Sequence, residues 1–270
     1  MAFHAKKIVP HIANHTTTKY PYGRLRVLDI DPIELARQLT LFDSYLYNQI
    51  KPVECMHEAW RHTEPWMAVN IKEVLKVFQQ VKYWVAYSIL GEKDSLKRAH
   101  TIESFINMAS YCSSWNNYNT CMAILEGLNM APVASLQQTW LLINTKHRGC
   151  LENLRKLMSP SSNFRLYRAN LMYLTTPCVP YLHTYLDDWE NNSADVDVII
   201  SEVERHQGSY RFSVLPELLL PIIQELQEYG TLGAVIKLVK LMEGKYESNY
   251  DVECTFLEEE SRYPFRPIQY

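Results

Sequence analysis

Apolar side chains at helical spacing constrain this chain more than any other feature. Between residues 31 and 242 they recur every three or four positions, as in the series Val74, Phe78, Val81, Val85 and Ile89. That spacing places them along one face of an α-helix. Glycine supplies only 8 of the 270 residues, which disfavours tight β-hairpins and glycine-rich phosphate loops. The sequence therefore predicts an all-α fold of about ten or more helices.

Residues that favour helix ends mark where several helices begin. Asp31 is a predicted N-cap, Pro32 takes the first helical position, and Glu34 is placed to reach back to the cap. Asp94 is the predicted cap of a later helix, and another helix is expected after Pro221. Further helices are predicted near residues 117–128, 135–143, 147–158, 164–174, 235–242 and 247–261.

The chain is expected to form one compact domain. Residues 1–22 hold Lys and His side chains among Thr and Pro without periodicity, so we interpret them as an N-terminal arm. No later segment has the composition of a linker, and residues 23–270 fit a single domain.

Charge and composition narrow the class of partner. The net charge of −3 provides no strong attraction to nucleic acid or to an anionic membrane. The most apolar run, residues 214–223, contains two prolines and a glutamate and is too short to span a bilayer. Six cysteines without a C-x-x-C pair fit reduced thiols. We expect a soluble cytoplasmic protein without direct membrane insertion.

Motifs for covalent or metal chemistry are absent or weak. His11 and His15 have the spacing of zinc ligands on a helix, but a metalloprotease would need Glu where Ile12 stands. The sequence lacks G-x-S-x-G, G-x-x-x-x-G-K-[ST] and G-x-G-x-x-G. The clustered basic residues, Arg165 and Arg168 among them, are interpreted as solvated helix faces. No metal and no cofactor are expected.

The segment PCVPYLHTYLDDWE, residues 177–190, combines a stiff start with an acidic end. Two prolines flank Cys178 and Val179 and restrict where the next helix begins. The helix that follows is apolar at its start and acidic at Asp187, Asp188 and Glu190. An amphipathic element of this kind is typical of a part that enters a partner protein.

Five sequence blocks lie in an order and at a spacing that point to one family. They are DPIELARQLTLFDSYLYNQIKPVEC (31–55), VKYWVAYSIL with LKRAHTIESFINMA (81–109), WNNYNTCMAILEGLNMAPVASL (115–136), LMSPSSNFRLYR (157–168) and PCVPYLHTYLDD (177–188). Together they resemble the catalytic domain of Ras-type guanine-nucleotide exchange factors, the Son-of-Sevenless class. From residue 195 onward only traces of the resemblance remain.

The resemblance implies an all-α domain with a helical hairpin that starts at the proline-rich motif. Members of this family open a small GTPase so that GDP leaves and GTP enters. We expect the same activity here on a Ras-subfamily GTPase, with Rap or Ras ahead of Ral and with recruitment to membranes through other domains or partners. The alternative is a catalytically degraded domain that acts as a protein-binding scaffold.

The end of the hairpin's first helix departs from the family pattern. Asp187 replaces a Thr, and ungapped counting puts the family's apolar wedge on Glu190 and its catalytic carboxylate on Ala194. A gap instead lets Trp189 act as the wedge and either Glu190 or Asp195 as the carboxylate. Exchange activity requires the gapped alignment, which supplies both the wedge and the carboxylate. The ungapped alignment lacks them and corresponds to the scaffold alternative.

The remaining site residues follow from the same resemblance. Tyr181 takes the place of the family's Phe at the hairpin base and is predicted to be catalytic together with Trp189 and Glu190, whereas His183 replaces a Gly. The Asn116–Asn117 pair matches a family pair that either contacts the GTPase or is structural. The residues predicted to bind the GTPase are Lys76, Gln79, Asn129, Phe164, Arg165, Tyr185, Asp187 and Asp188.

Overall fold

α-Helices make up most of the computed structural model, which describes residues 26–56, 59–62, 64, 66–174, 177–191, 194–230 and 233. Within these residues there are eleven α-helices and no β-strand, so the predicted all-α class is confirmed. The helices are α1 Pro32–Tyr47, α2 Val69–Leu90, α3 Ser95–Ser114, α4 Tyr118–Asn129, α5 Ala131–Ala134, α6 Gln137–Leu142, α7 Thr145–Leu157, α8 Ser161–Met172, α9 His183–Glu190, α10 Val196–His206 and α11 Pro216–Tyr229. Short 3₁₀ turns occur at Val27–Asp29, Pro52–Cys55 and Ala59–Arg61.

The helix starts show how far local sequence determines the ends of elements. The Asp31 carboxylate accepts a hydrogen bond from the backbone N–H of Ile33 at 3.0 Å, as predicted for an N-cap. The Asp94 carboxylate caps α3 in the same way. The predicted reach of Glu34 back to the cap is wrong in detail, because its carboxylate accepts hydrogen bonds from Arg37 and Gln38 at 3.0 and 2.8 Å.

Helices α2, α3 and α4 form the centre of the core. The Trp84 ring in α2 meets the Phe105 ring of α3 edge to face, with ring centroids 5.1 Å apart. Gly127 lets α4 approach α2 closely, because a Cβ atom at this position would lie 2.6 Å from the carbonyl oxygen of Lys82. Helix α1 packs on α3, and α11 packs on α2.

A second hydrophobic cluster lies beside this centre and carries the predicted hairpin. Helices α9 and α10 contact each other, and α10 packs on the 3₁₀ turn Pro52–Cys55. The Tyr47 hydroxyl of α1 donates to the carbonyl of Val203 in α10 at 3.3 Å. Other buried members of the cluster are Ile50, Trp60, Ile71, Val179, Leu182, Tyr185, Leu186 and Ile199.

Some predictions differ from the structure or lie beyond it. Helix α11 begins at Pro216 rather than after Pro221, because Pro216 takes the first helical position and Pro221 is accommodated inside the helix. The proposed arm of residues 1–22 and the histidines at 11 and 15 lie outside the described residues. The helices predicted near 235–242 and 247–261 lie outside them too.

Candidate functional site

The base of the hairpin is joined to the core by backbone hydrogen bonds. The N–H of Val179 donates to the carbonyl of Asn116 at 2.9 Å, and the N–H of Tyr118 donates to the carbonyl of Val179 at 2.9 Å. Asn116 turns the chain with a φ of 61°, in the left-handed region that asparagine tolerates. These bonds fix the proline-rich segment before α9 begins.

A buried network of polar side chains stabilises the start of α4, next to the backbone bonds that hold the hairpin base. The Asn117 side chain caps α4 by accepting from the Thr120 N–H at 3.0 Å, and it donates to the Thr40 hydroxyl at 3.2 Å. The Asp43 carboxylate accepts from Asn119 at 3.0 Å and from the Thr120 hydroxyl at 2.7 Å. Burial raises the pKa of Asp43 from 3.8 to about 6, and these hydrogen bonds oppose that rise. Asn117 therefore has a structural role.

Tyr181 is completely buried at the start of the hairpin. Its backbone N–H donates to the Tyr167 hydroxyl at 2.8 Å, and its own hydroxyl donates to the Glu126 carboxylate at 3.3 Å. The ring packs against Phe78 and Phe164 with centroids 5.5 and 5.6 Å away. In the free domain Tyr181 thus anchors the hairpin from inside.

An ion pair lies beneath this aromatic cluster. Lys82 Nζ of α2 is 3.7 Å from the Glu126 carboxylate of α4, and both side chains are buried. The His183 ring lies 4.8 Å from Phe78 and 5.0 Å from Tyr181. Burial, and secondarily the charge of Lys82, lower the pKa of His183 to about 3, so this imidazole is neutral at physiological pH.

The acidic end of α9 is held by basic and aromatic side chains from two other elements. Asp188 accepts hydrogen bonds from both terminal nitrogens of Arg168 at 2.7 and 3.0 Å. Glu190 accepts from Arg61 Nε at 2.9 Å, and its second oxygen lies 2.6 Å from Arg61 Nη2. The Trp189 ring meets Trp60 at a centroid distance of 5.2 Å. The interpretation of Arg168 as a solvated residue is wrong, because the guanidinium is half-buried against Asp188.

The other residues predicted to contact a partner fall into an accessible and a buried group. Lys76 and Arg165 are exposed, Gln79, Asn129 and Asp187 are half-buried, and Lys76 pairs with Glu73 at 3.1 Å. Asn129 accepts a hydrogen bond from the exposed Arg155.

Phe164 and Tyr185 belong to the core in the free domain. They are 4% and 5% exposed, and the buried hydroxyl of Tyr185 has no hydrogen-bond partner among the described residues. Phe164 has a φ of 55° and ends a left-handed run that starts at Ser162, so this turn inside the first part of α8 directs its ring toward Tyr181. The side-chain Nδ2 atom of Asn163, in the same turn, lies 3.5 Å from Oδ1 of Asp188. The structure therefore brings α8 and the hairpin together.

Sequence reasoning missed four charged residues at this site: Arg61, Lys82, Glu126 and Arg168. A signal existed for two of them, because Lys82 lies four residues after Phe78 and Glu126 lies four residues after Met122, so each charge shares a helix face with an apolar residue. A charge on such a face needs a buried partner. Arg61 carried no such signal, since its partner is 129 positions away in the sequence.

Two general features of the described residues complete the site. They contain no group of three or more His, Cys, Asp or Glu side chains that could hold a metal ion. None of their helices is both long enough and apolar enough to cross a membrane.

This fold and site define an all-helical domain whose prominent feature is a helical hairpin with an acidic, aromatic end. The sequence matches the RasGEF domain over residues 34–210, which is more than half of the chain. The chain belongs to the RasGEF domain family. The predicted family and its fold class are therefore confirmed.

Curated relatives place the chain in the same family. It is 36% identical over 211 residues to Ras guanine nucleotide exchange factor Y of Dictyostelium discoideum, which covers 76% of this chain and 13% of that protein. It is 36% identical over 222 residues to exchange factor Q of the same organism, or 82% and 17% of the two chains. Cell division control protein 25 of Candida albicans is 37% identical over 166 residues, or 60% and 12%. The matched region is thus a small part of each relative.

Proposed function

We propose that this domain binds a Ras-subfamily small GTPase and accelerates release of its GDP, with Rap or Ras favoured over Ral. Membership of the RasGEF family and the names of the relatives support exchange activity and do not favour the alternative of a scaffold without it. The observation that carries the proposal is the hairpin itself. A buried, hydrogen-bonded base presents Trp189 and Glu190 at the end of α9.

The physical task explains why such a hairpin is needed. A small GTPase holds its nucleotide through P-loop amides and Mg²⁺ with a binding free energy of about −15 kcal/mol. An exchange factor must therefore bind the nucleotide-free form more tightly than the loaded form. Because coupling between two ligands is reciprocal, the factor weakens the nucleotide as much as the nucleotide weakens the factor.

Trp189 and Glu190 have the chemistry that this coupling requires. A bulky apolar ring can displace the segment that covers the nucleotide, and a carboxylate can compete with phosphate for P-loop hydroxyl and amide donors. Both side chains are half-buried and held by Trp60 and Arg61. Partly exposed ion pairs of this kind contribute about 0–1 kcal/mol, so Glu190 can exchange Arg61 for a group on the GTPase at low cost.

The accessible and the buried site residues have different proposed roles. Lys76, Gln79, Asn129, Arg165 and Asp187 reach the surface and are proposed to contact the GTPase. The buried residues are proposed to support that surface from inside and to hold the hairpin in place; they are Tyr181, Phe164 and Tyr185, with Asp188 fixed by Arg168.

The proposed setting is the cytoplasm, with recruitment to a membrane through other domains or partners. The free, largely buried thiols of Cys55, Cys112, Cys121, Cys150 and Cys178 support a reducing compartment. The GTPase itself is one such proposed partner.

Release of a fluorescent GDP analogue from Ras, Rap and Ral proteins tests the proposal. The domain is expected to accelerate release in excess unlabelled nucleotide and to saturate as its concentration rises. Glu190→Gln should lower the maximal rate, whereas Glu34→Gln, which removes a similar surface pair with Arg37, should not. If none of the three GTPases responds to the domain in large excess, the proposal is wrong.

A further inference from the structure

Four ionisable side chains from three elements converge beneath the hairpin base. Lys82 comes from α2, Glu126 comes from α4, and Tyr181 and His183 come from the start of the hairpin. The residues are between 0 and 6% exposed. Ion pairing, a hydrogen bond and ring packing connect them. Tyr181 also belongs to the hydrophobic core, and it is the only one of the four that has a role in the function proposed above.

Because the cluster is buried, its energy depends strongly on the distances between its charged and polar groups. A charge removed from water needs a close partner, and Glu126 has both the Lys82 ammonium at 3.7 Å and the Tyr181 hydroxyl at 3.3 Å. Hydrophobic residues of the same volume would often stabilise a fold equally well, whereas a buried pair also favours one arrangement of its helices. The pair therefore acts on position more than on stability.

The packing around the pair leaves little freedom for its two helices. A Cβ atom on Gly127 would lie 2.6 Å from the Lys82 carbonyl oxygen and 2.7 Å from the Val85 Cβ atom. Helices α2 and α4 thus touch through their backbones one residue away from Glu126. This close contact restricts the position of the Glu126 carboxylate relative to the start of the hairpin.

The hairpin begins directly on this cluster. His183 is the first residue of α9, and its ring packs on both Phe78 and Tyr181. Helix α9 has eight residues, so its end lies about 10 Å from its start, and a tilt of about 10° at the base moves that end by about 2 Å. Displacements of about 1 Å in a reacting group can lower a rate about a hundredfold.

We propose that Lys82 and Glu126 are positioning residues for nucleotide release. Their ion pair sets the direction of α9 through Tyr181 and His183, and this direction places Trp189 and Glu190 against the GTPase. The proposal rests on the proposed exchange function, and the geometry of the buried cluster carries it.

The double variant Lys82→Met with Glu126→Gln tests this role. It removes both charges of the pair together, and it keeps an acceptor for the Tyr181 hydroxyl. The maximal rate of GDP release is expected to fall about tenfold, the equivalent of one lost charge-assisted contact, while the half-saturating concentration of the domain changes less. Tyr181→Phe, which removes only the hydroxyl, should lower the maximal rate by a smaller factor.

Arg98→Met is the matched control. It removes a different buried cation, whose hydrogen bonds include those to Thr139 and to the carbonyls of Glu92 and Lys93. Its unfolding midpoint should fall, because a buried cation and its hydrogen bonds are lost, while the maximal release rate stays unchanged. If the control loses as much rate as the double variant, or if the double variant keeps the wild-type rate, the positioning role is refuted.

Hydrogen exchange of the free domain separates this inference from the exchange function. The amides of residues 183–190 should exchange faster in the double variant than in the wild type, and those of α3 should not. Unchanged protection of α9 overturns the positioning role even when no GTPase responds to the domain. Faster exchange of α9 supports it in that same case.

Discussion

The base and the end of the hairpin are held in opposite ways. At the base, Val179 and Tyr181 are completely buried and bonded through their backbones to Asn116, Tyr118 and Tyr167. At the end, Trp189 and Glu190 are half-buried, and their contacts to Trp60 and Arg61 are made by side chains alone. Helix α9, eight residues long, begins at the base and includes the end.

The difference assigns a separate task to each region. Buried backbone hydrogen bonds and packed rings favour one geometry, because a displacement removes their stabilising free energy and water does not replace it. A partly exposed ion pair can be replaced by another pair at a cost of about 1 kcal/mol or less. The base is therefore suited to set a direction, and the end is suited to change partners when a GTPase arrives.

The largest expected effect comes from removing the ring at the base. Tyr181→Ala should lower the free energy of unfolding by about 3–5 kcal/mol, because it deletes a fully buried aromatic side chain. Chemical denaturation monitored by circular dichroism measures this change. Tyr173→Ala removes a tyrosine that is 85% exposed and should change stability by less than about 0.5 kcal/mol. Equal losses for the two variants would show that the base is not tightly packed.

The next effect concerns the carboxylate below the base. In the folded protein the pKa of Asp43 is raised from 3.8 to about 6, so the folded state binds a proton more strongly than the unfolded chain does. The contribution of this group to stability is therefore full below pH 3.8 and decreases as the pH rises to about 6. Above that pH the accumulated loss is about 3 kcal/mol.

Denaturation of wild type and Asp43→Asn between pH 4 and 7 measures this linkage. The variant has no carboxylate to titrate, so its stability should rise relative to the wild type across the window. The readout is the slope of the stability difference against pH. The altered hydrogen bonds to Asn119 and Thr120 shift the stability of the variant by the same amount at every pH and do not change that slope. Parallel curves for the two proteins would mean that Asp43 does not titrate in this range.

A smaller effect is expected at the contact between α2 and α4. Gly127→Ala puts a Cβ atom 2.6 Å from the Lys82 carbonyl and should cost about 1–3 kcal/mol. Gly149→Ala lies within α7 with no heavy atom within 4 Å of the added Cβ, and it should stabilise the domain by up to about 1 kcal/mol. Opposite signs are expected in thermal denaturation. The same sign for both would indicate that helix propensity outweighs packing at Gly127.

The sequence predicts most of what depends on neighbouring residues. The caps at Asp31 and Asp94 and the all-α class follow from local patterns, whereas the hairpin start at the proline-rich motif follows from the family resemblance. The start of α11 was predicted wrongly, because two prolines in one apolar run each resemble a first helical position. Glu34 is correctly spaced to bond the backbone N–H of the Asp31 cap. Its carboxylate instead accepts hydrogen bonds from Arg37 and Gln38.

Pairings between distant residues account for what the sequence leaves open. Lys82 and Glu126 lie on helices that approach closely at Gly127, and Arg61 reaches Glu190 from a 3₁₀ turn far away in the sequence. Their spacing in the sequence contains no trace of either contact. The roles assigned to Trp189 and Glu190 stay predictions, because they depend on where the family alignment admits a gap.

The smallest expected effect is at the end of the hairpin, and it sharpens the comparison most directly. Arg61→Ala removes one partner of Glu190 while both groups keep access to water, so the free energy of unfolding should fall by less than about 1 kcal/mol. Even this difference should shrink at about 1 M salt, where the screening length is about 3 Å. Hydrogen exchange should become faster at residues 187–190 and stay unchanged at 178–182. A loss well above 1 kcal/mol, or faster exchange at the base as well, would mean that the end is as firmly built as the base and cannot change partners cheaply.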